Sequence, residues 1–191
     1  MKRRREKLFQ AKKISPTFVG FFVSRHLVLA VRTFNINMIA YLSGPIENAH
    51  NDGADWRSNI TEWLETKLNH KVFNPVIATK SIIEHHNTSD FRLMKKTNPN
   101  EYKKIIRKII KVDLDAVVHK SDYLIVKWDE SVFKGGGTHG EVTMAYWLGK
   151  PVFLVNMLPI DDISSWIFSC SDYLFDNFDD LKLKLEELYS R

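Results

Sequence analysis

The stretch of this 191-residue chain best suited to chemistry is Lys134-Gly135-Gly136-Gly137-Thr138-His139-Gly140-Glu141, a glycine-rich turn that ends on a carboxylate. It follows an apolar run over 123–128 that reads as a buried strand. It leads into residues 142–148, which read as a helix closed by Gly149 and broken by Pro151. Strand, glycine loop and helix in that order put a ligand at the carboxyl edge of a parallel sheet, over a helix N-terminus. Glu141 is expected in the first turn of that helix, beside backbone that glycine leaves open to close approach. A carboxylate there either complements the helix dipole or acts on the ligand. Lys134, the amides of Gly135 to Gly137 and the Thr138 hydroxyl could together receive a phosphate, and His139 could touch the substrate from inside the loop.

Other residues compete for a role. Tyr41 leaves the carboxyl end of a first strand, next to Gly44-Pro45, and is either a ligand contact or a core tyrosine. Asp129 follows the buried strand and could bind the ligand or assist Glu141; a plain loop aspartate is the alternative. His85, His86 and His139 do not make a metal site, because adjacent histidines diverge and no HxxxH or HExxH spacing exists. No metal and no organic cofactor is expected. The absence of GxxxxGK[ST] and GxGxxG patterns argues against an ATPase or a dinucleotide dehydrogenase.

The elements that must position these groups alternate. From Met38, residues 39–43 read as a short strand and 55–68 as an amphipathic helix carrying Trp56, Ile60, Trp63, Leu64 and Leu68 on one face. Residues 71–73 form a second strand, stopped by Asn74-Pro75. Residues 76–100 read as a long polar, irregular loop with room for one short helix, of the kind that serves as a functional lid. A strong helix spans 101–119. Further strands are expected at 151–155 and 173–175, and a last helix at 178–189. Continuous apolar strands between helices indicate a parallel sheet covered on both faces. The expected fold is α/β, a flavodoxin-like or Rossmann-like three-layer sandwich with a five-stranded, mainly parallel sheet.

Composition narrows the setting. Residues 1–37 carry nine of the 28 Lys and Arg and one of the 23 Asp and Glu, leaving the other 154 residues with 19 basic against 22 acidic. The net charge of +5 is thus a property of the tail, and a nucleic-acid role for the body loses its support. The tail, residues 1–37, is expected outside the catalytic fold, which takes residues 38–191. It reads as a mitochondrial-type presequence, a patch for an anionic surface, or a region upstream of a start at Met38. Cys170 is the single cysteine, compatible with a reducing compartment, and no apolar run approaches the ~20 residues that span a bilayer. A cytoplasmic protein without membrane or nucleic-acid partners is the expectation.

Several motifs in sequence order now combine: Tyr41-Leu-Ser-Gly-Pro45, Asp55-Trp-Arg57, Val72-Phe-Asn-Pro75, Asp113-Leu114, Ser121-Asp122, and Gly137-Thr-His-Gly-Glu141 with Ala145 and Gly149-Lys-Pro151. Over residues 38–175 this set resembles the nucleoside 2-deoxyribosyltransferase family. The resemblance implies cleavage or exchange of the N-glycosidic bond of a (deoxy)ribonucleoside, with Glu141 as nucleophile forming a glycosyl-enzyme ester and Asp113 handling the proton of the departing base. That chemistry suits the residues, because positive charge develops at the sugar C1′ and the base needs an acid. Asp115 competes with Asp113; the two point about 200° apart on a helix, so both cannot face one pocket. By the same resemblance, Asp162 in Asp161-Asp162-Ile-Ser-Ser-Trp166 reaches into a neighbouring subunit's pocket, which implies a homo-oligomer. The partners implied are a nucleoside or nucleotide and a free nucleobase.

The long segment at 76–100 and Lys95, Lys96 and Lys134 depart from the family pattern. A phosphate on Lys134 and the glycine loop would favour a nucleoside 5′-monophosphate N-glycosidase, a hydrolase. Gly137-Thr138 and Glu141 also fit part of the PGGxGTxxE signature of lysine-decarboxylase-like phosphoribohydrolases, with Phe133-Lys134 in place of Pro-Gly. A non-catalytic nucleotide-sensing module is the alternative from another class.

Overall fold

The computed structural model describes residues 37–47, 49–84 and 91–190. Apart from Asn37, the basic tail therefore lies outside the described residues, as do His85 and His86. Five strands form one sheet: β1 (Ile39–Ser43), β2 (Lys71–Phe73), β3 (Tyr123–Trp128), β4 (Val152–Asn156) and β5 (Tyr173–Phe175). All pairings are parallel and the order is β2-β1-β3-β4-β5. The helices among the described residues are α1 (Ala54–Trp63), α2 (Pro75–Glu84), α3 (Met94–Thr97), α4 (Pro99–Asp115), α5 (Gly137–Trp147), α6 (Ser165–Cys170) and α7 (Phe178–Tyr189). No helix among these residues is long and apolar enough to cross a membrane.

The sheet is the middle of three layers because side chains alternate across it. Leu124, Val126 and Trp128 of β3 share one face with Tyr41 and pack under α5 and α6 through Val142, Ala145 and Ile167. Ala40, Leu42 and Ile125 take the opposite face and meet Ile60 and Leu64, in and just after α1, and Leu181 and Leu185 of α7. β4 is buried at every position, as its unbroken apolar run requires. From β1 the chain crosses to β2 on one side and later to β3 on the other. This reversal opens a crevice beyond the carboxyl ends of β1 and β3, where open α/β sheets bind ligands.

Three elements differ from expectation. Residues 76–100 are not mainly loop: α2 occupies Pro75–Glu84, a 3-10 turn covers Phe91–Leu93, and α3 follows. Asn74-Pro75 does stop β2 at Phe73, and the same pair also starts a helix, with Asn74 Oδ1 accepting from Val76 N at 3.0 Å. Asn98-Pro99 repeats the device for α4, Asn98 Oδ1 accepting from Glu101 N at 3.3 Å. The third difference concerns α5, which begins at Gly137 rather than near Val142. Glu141 is its fifth residue, beyond the first turn, so the helix dipole does not explain it.

Candidate active site

The site assembles on the β1 strand. Residues 41 and 43 lie two apart, so both point to the face that α5 covers. Tyr41 OH donates to Glu141 Oε1 at 2.8 Å and Ser43 Oγ donates to Oε2 at 2.5 Å. Each carboxylate oxygen thus has one hydroxyl donor from a rigid central strand. The Tyr41 ring is fully buried and stacks on Phe73 with centroids 5.3 Å apart, so it is a core side chain whose hydroxyl serves the site. Glu141 itself is 8% exposed.

Burial and charge set the protonation states. Burial drives the Glu141 pKa above the usual carboxylate range, opposed by the Ser43 and Tyr41 hydrogen bonds and by the Arg57 charge. Burial, then repulsion from Glu141, push Asp113 up to about 7, with Arg57 pulling the other way. Burial and the same two carboxylates hold the Tyr41 phenol far above its normal range, so it remains a donor. Asp113 Oδ1 is buried without a partner. Asp115, by contrast, turns outward and pairs with Lys120 at 2.9 Å. The structure therefore turns Asp113, not Asp115, towards Glu141, and both carboxyls are pushed above their usual range.

Nothing within the described residues requires glycine in this loop. None of Gly135, Gly136 and Gly137 has a positive φ, and a Cβ on any of them would meet nothing within 4 Å. Gly136 caps α5 without a side-chain hydrogen bond. Thr138 is buried, and His139 packs edge-on to Trp128 with centroids 4.8 Å apart. His139 Nδ1 and Trp128 Nε1 are both buried without partners. Lys134 is exposed at the end of the 3-10 turn Glu130–Lys134.

Gly44 and Gly53 are a different case. A Cβ on Gly44 would sit 3.0 Å from Trp56 Cζ2 and 3.2 Å from the Lys127 carbonyl. Gly53 has φ +69°, and its Cβ would lie 2.5 Å from Arg57 Nη1 and 2.8 Å from the Pro45 carbonyl. Gly53→Ala is expected to cost about 2–4 kcal/mol, combining left-handed backbone with overpacking. Gly137→Ala is expected to hold or gain a few tenths of a kcal/mol. Thermal melts of the two variants check this contrast. Loss of turnover in Gly137→Ala at unchanged melting temperature would locate a ligand at that loop.

Not every expected residue joins the carboxyl pair. Asp129 accepts from Ser131 N at 2.9 Å and pairs with Lys127 at 2.9 Å. Burial raises its pKa, but these partners outweigh it and leave the carboxyl below its usual range. It lines a cleft of about 330 Å³ with Pro45, Gly53, Trp56, Lys127 and Ser131. That cleft is not lined by Glu141, Tyr41, Ser43 or Asp113: Lys127 and α1 belong to the other sheet face. Glu141 and Asp113, the latter with its unpartnered Oδ1, are a better candidate for chemistry than the cleft. Asp162 is exposed on the 3-10 turn Ile160–Asp162, away from any partner in the described chain.

Two residues here carried no role in the sequence reading, Ser43 and Arg57. The first was visible as the next same-face position after Tyr41 on a strand. The second was visible as a charge on the apolar stripe of a helix, in line with Ile60 and Leu64.

The fold and site thus define an α/β sandwich with a buried glutamate and a half-buried aspartate near the carboxyl edge of its sheet. No protein-family model matches the chain, and no curated protein matches its sequence.

Proposed function

We propose that the protein cleaves or exchanges the N-glycosidic bond of a (deoxy)ribonucleoside, as the resemblance to nucleoside 2-deoxyribosyltransferases implies. The observation that carries the reading is Glu141, fixed by two hydroxyls, beside an Asp113 whose Oδ1 is buried without a partner and whose pKa burial and Glu141 push up to about 7. Glu141 attacks C1′ and the C1′–N bond breaks, its electron pair leaving with the base. Asp113 gives the base its proton. A second base or water then attacks C1′, expels Glu141 from the ester, and returns a proton to Asp113. Tyr41 and Ser43 hold the carboxylate in line, and no cofactor is needed.

The second reading is hydrolysis of a nucleoside 5′-monophosphate. Its support is the uncapped N-terminus of α5, whose glycines no protein neighbour requires. A homo-oligomer accords with exposed Asp162 and with apolar side chains nearby, among them Trp166 at 65% and Phe168 at 52% exposure.

The test is chromatographic detection of free base from a panel of nucleosides and 5′-monophosphates, each with and without an acceptor base. A new nucleoside formed only with acceptor supports transfer. Free base without acceptor supports hydrolysis. Binding without any turnover would sink both and leave a nucleotide sensor.

A further inference from the structure

Arg57 is wholly buried in α1, and its contacts ask for an explanation. Its Nε donates to the Leu42 carbonyl at 3.3 Å and Nη2 to the Gly44 carbonyl at 2.8 Å. Nη1 reaches the carbonyls of Gly53 at 3.0 Å, Asp52 at 3.2 Å and Pro45 at 3.4 Å. The guanidinium also lies over the Trp56 ring, 4.6 Å from its centroid. Among the described residues no carboxylate stands in ion-pair contact with it. Burial lowers its pKa to about 10, so it stays charged at neutral pH.

Tying the 44–53 loop to β1 does not require a charge. Neutral donors do that work at about 0.5–1.5 kcal/mol per hydrogen bond, whereas burying a cation costs several kcal/mol. A buried cation is retained where an anion is close enough to compensate it, and Glu141 is the largest favourable charge acting on Arg57. The backbone adds a mechanical link. Leu42 and Gly44, whose carbonyls Arg57 grips, flank Ser43, and Ser43 Oγ holds Glu141 Oε2.

We infer that Arg57 is a positioning residue for Glu141: it clamps Ser43 from both sides and supplies the counter-charge of the carboxylate without touching it. Both Glu141 oxygens then stay free of a contact cation that would blunt a nucleophile. The inference rests on the proposed role of Glu141. The groups acting on the carboxylate are Tyr41 and Ser43 from β1 by hydrogen bond, and Arg57 from α1 and Asp113 from α4 through their charge. Asp129, itself paired with Lys127, also acts on Arg57.

The experiment is a carbon-detected NMR titration of the Glu141 carboxyl in the full chain, for wild type, Arg57→Gln and Arg57→Lys, with kcat and KM measured on the same samples. The Gln variant is expected to raise the Glu141 midpoint by about one pH unit or more. An unmoved midpoint overturns the inference. The Lys variant keeps charge but cannot span both flanking carbonyls, so kcat is expected to fall about tenfold or more with KM little changed. Should Arg57→Gln fail to fold, the Lys variant decides: wild-type kcat overturns the inference, and a kcat-only loss sustains it. A wild type that titrates as expected yet turns over nothing would remove the proposed reaction and leave the electrostatic role of Arg57. Glu141-dependent turnover with an unmoved midpoint would do the reverse.

Discussion

Replacing Glu141 by glutamine is expected to lower base release by about 10³-fold or more while the protein stays folded. The chemical half follows from what an amide lacks. It forms no glycosyl ester and puts no negative charge beneath C1′ as positive charge develops there. The structural half follows from the two hydroxyls. Tyr41 and Ser43 each donate to one carboxylate oxygen at 2.8 and 2.5 Å. An amide keeps one acceptor oxygen and offers an NH2 group in place of the other, and a hydroxyl can rotate to accept from it. The new side chain is neutral in a place where burial raises the carboxyl pKa, so the melting temperature is expected to change little. Glu141→Ala should be worse for the fold, because it strands both hydroxyls and opens a void, at about 1–3 kcal/mol for each unsatisfied group. Added formate can occupy that void and restore part of the turnover. Measuring turnover and melts together separates chemistry from folding. A glutamine variant that keeps more than about a tenth of wild-type base release would remove Glu141 as nucleophile.

The fold was largely written in the chain because its strands are buried on both faces. Tyr123 to Trp128 and Val152 to Val155 are unbroken apolar runs, which few other structures accommodate, and Gly149 at φ +67° ends α5 where its position suggested. The start of α5 was hidden because nothing like Ser, Asp or Asn caps it; glycines give no start signal, so Glu141 was placed one turn early. α2 was hidden because Asn74-Pro75 serves equally to end a strand and to cap a helix. At the site, residue types were legible and their electrostatics were not. That Asp113 has an unpartnered buried oxygen, and so a high pKa, depends on α4 packing against α5. Arg57 was legible only as an oddity on an apolar helix stripe. Its five carbonyl partners lie 4 to 15 residues away and converge only once β1 and α1 are packed.

Asp113→Asn should reduce kcat/KM by about 10²–10⁴-fold, the range for losing a positioned general acid. The loss should depend on the leaving group. A substrate whose base departs readily without protonation needs little help, so the variant should approach wild type on it and lag most on ordinary nucleosides. The pH profile gives a second signature. Asp113 must be protonated to act, so wild-type kcat/KM should fall as pH rises through about 7, and that limb should vanish in the variant. The substitution should raise stability while it lowers activity. The folded-state pKa lies above the ordinary 3.8, so the neutral carboxyl is accepted by the fold and the anion is not. Its contribution is whole below about 3.8 and is lost progressively as pH rises to about 7. Asparagine, neutral throughout, should therefore stabilise the protein by on the order of 1–3 kcal/mol at pH 8, with the difference shrinking towards pH 4. Denaturant titrations at pH 5 and 8, alongside kcat/KM on good and poor leaving groups, check both halves. An Asp113→Asn protein that is less stable at pH 8 and equally slow on every substrate would make Asp113 a structural residue, and the proton for the base would have to come from elsewhere.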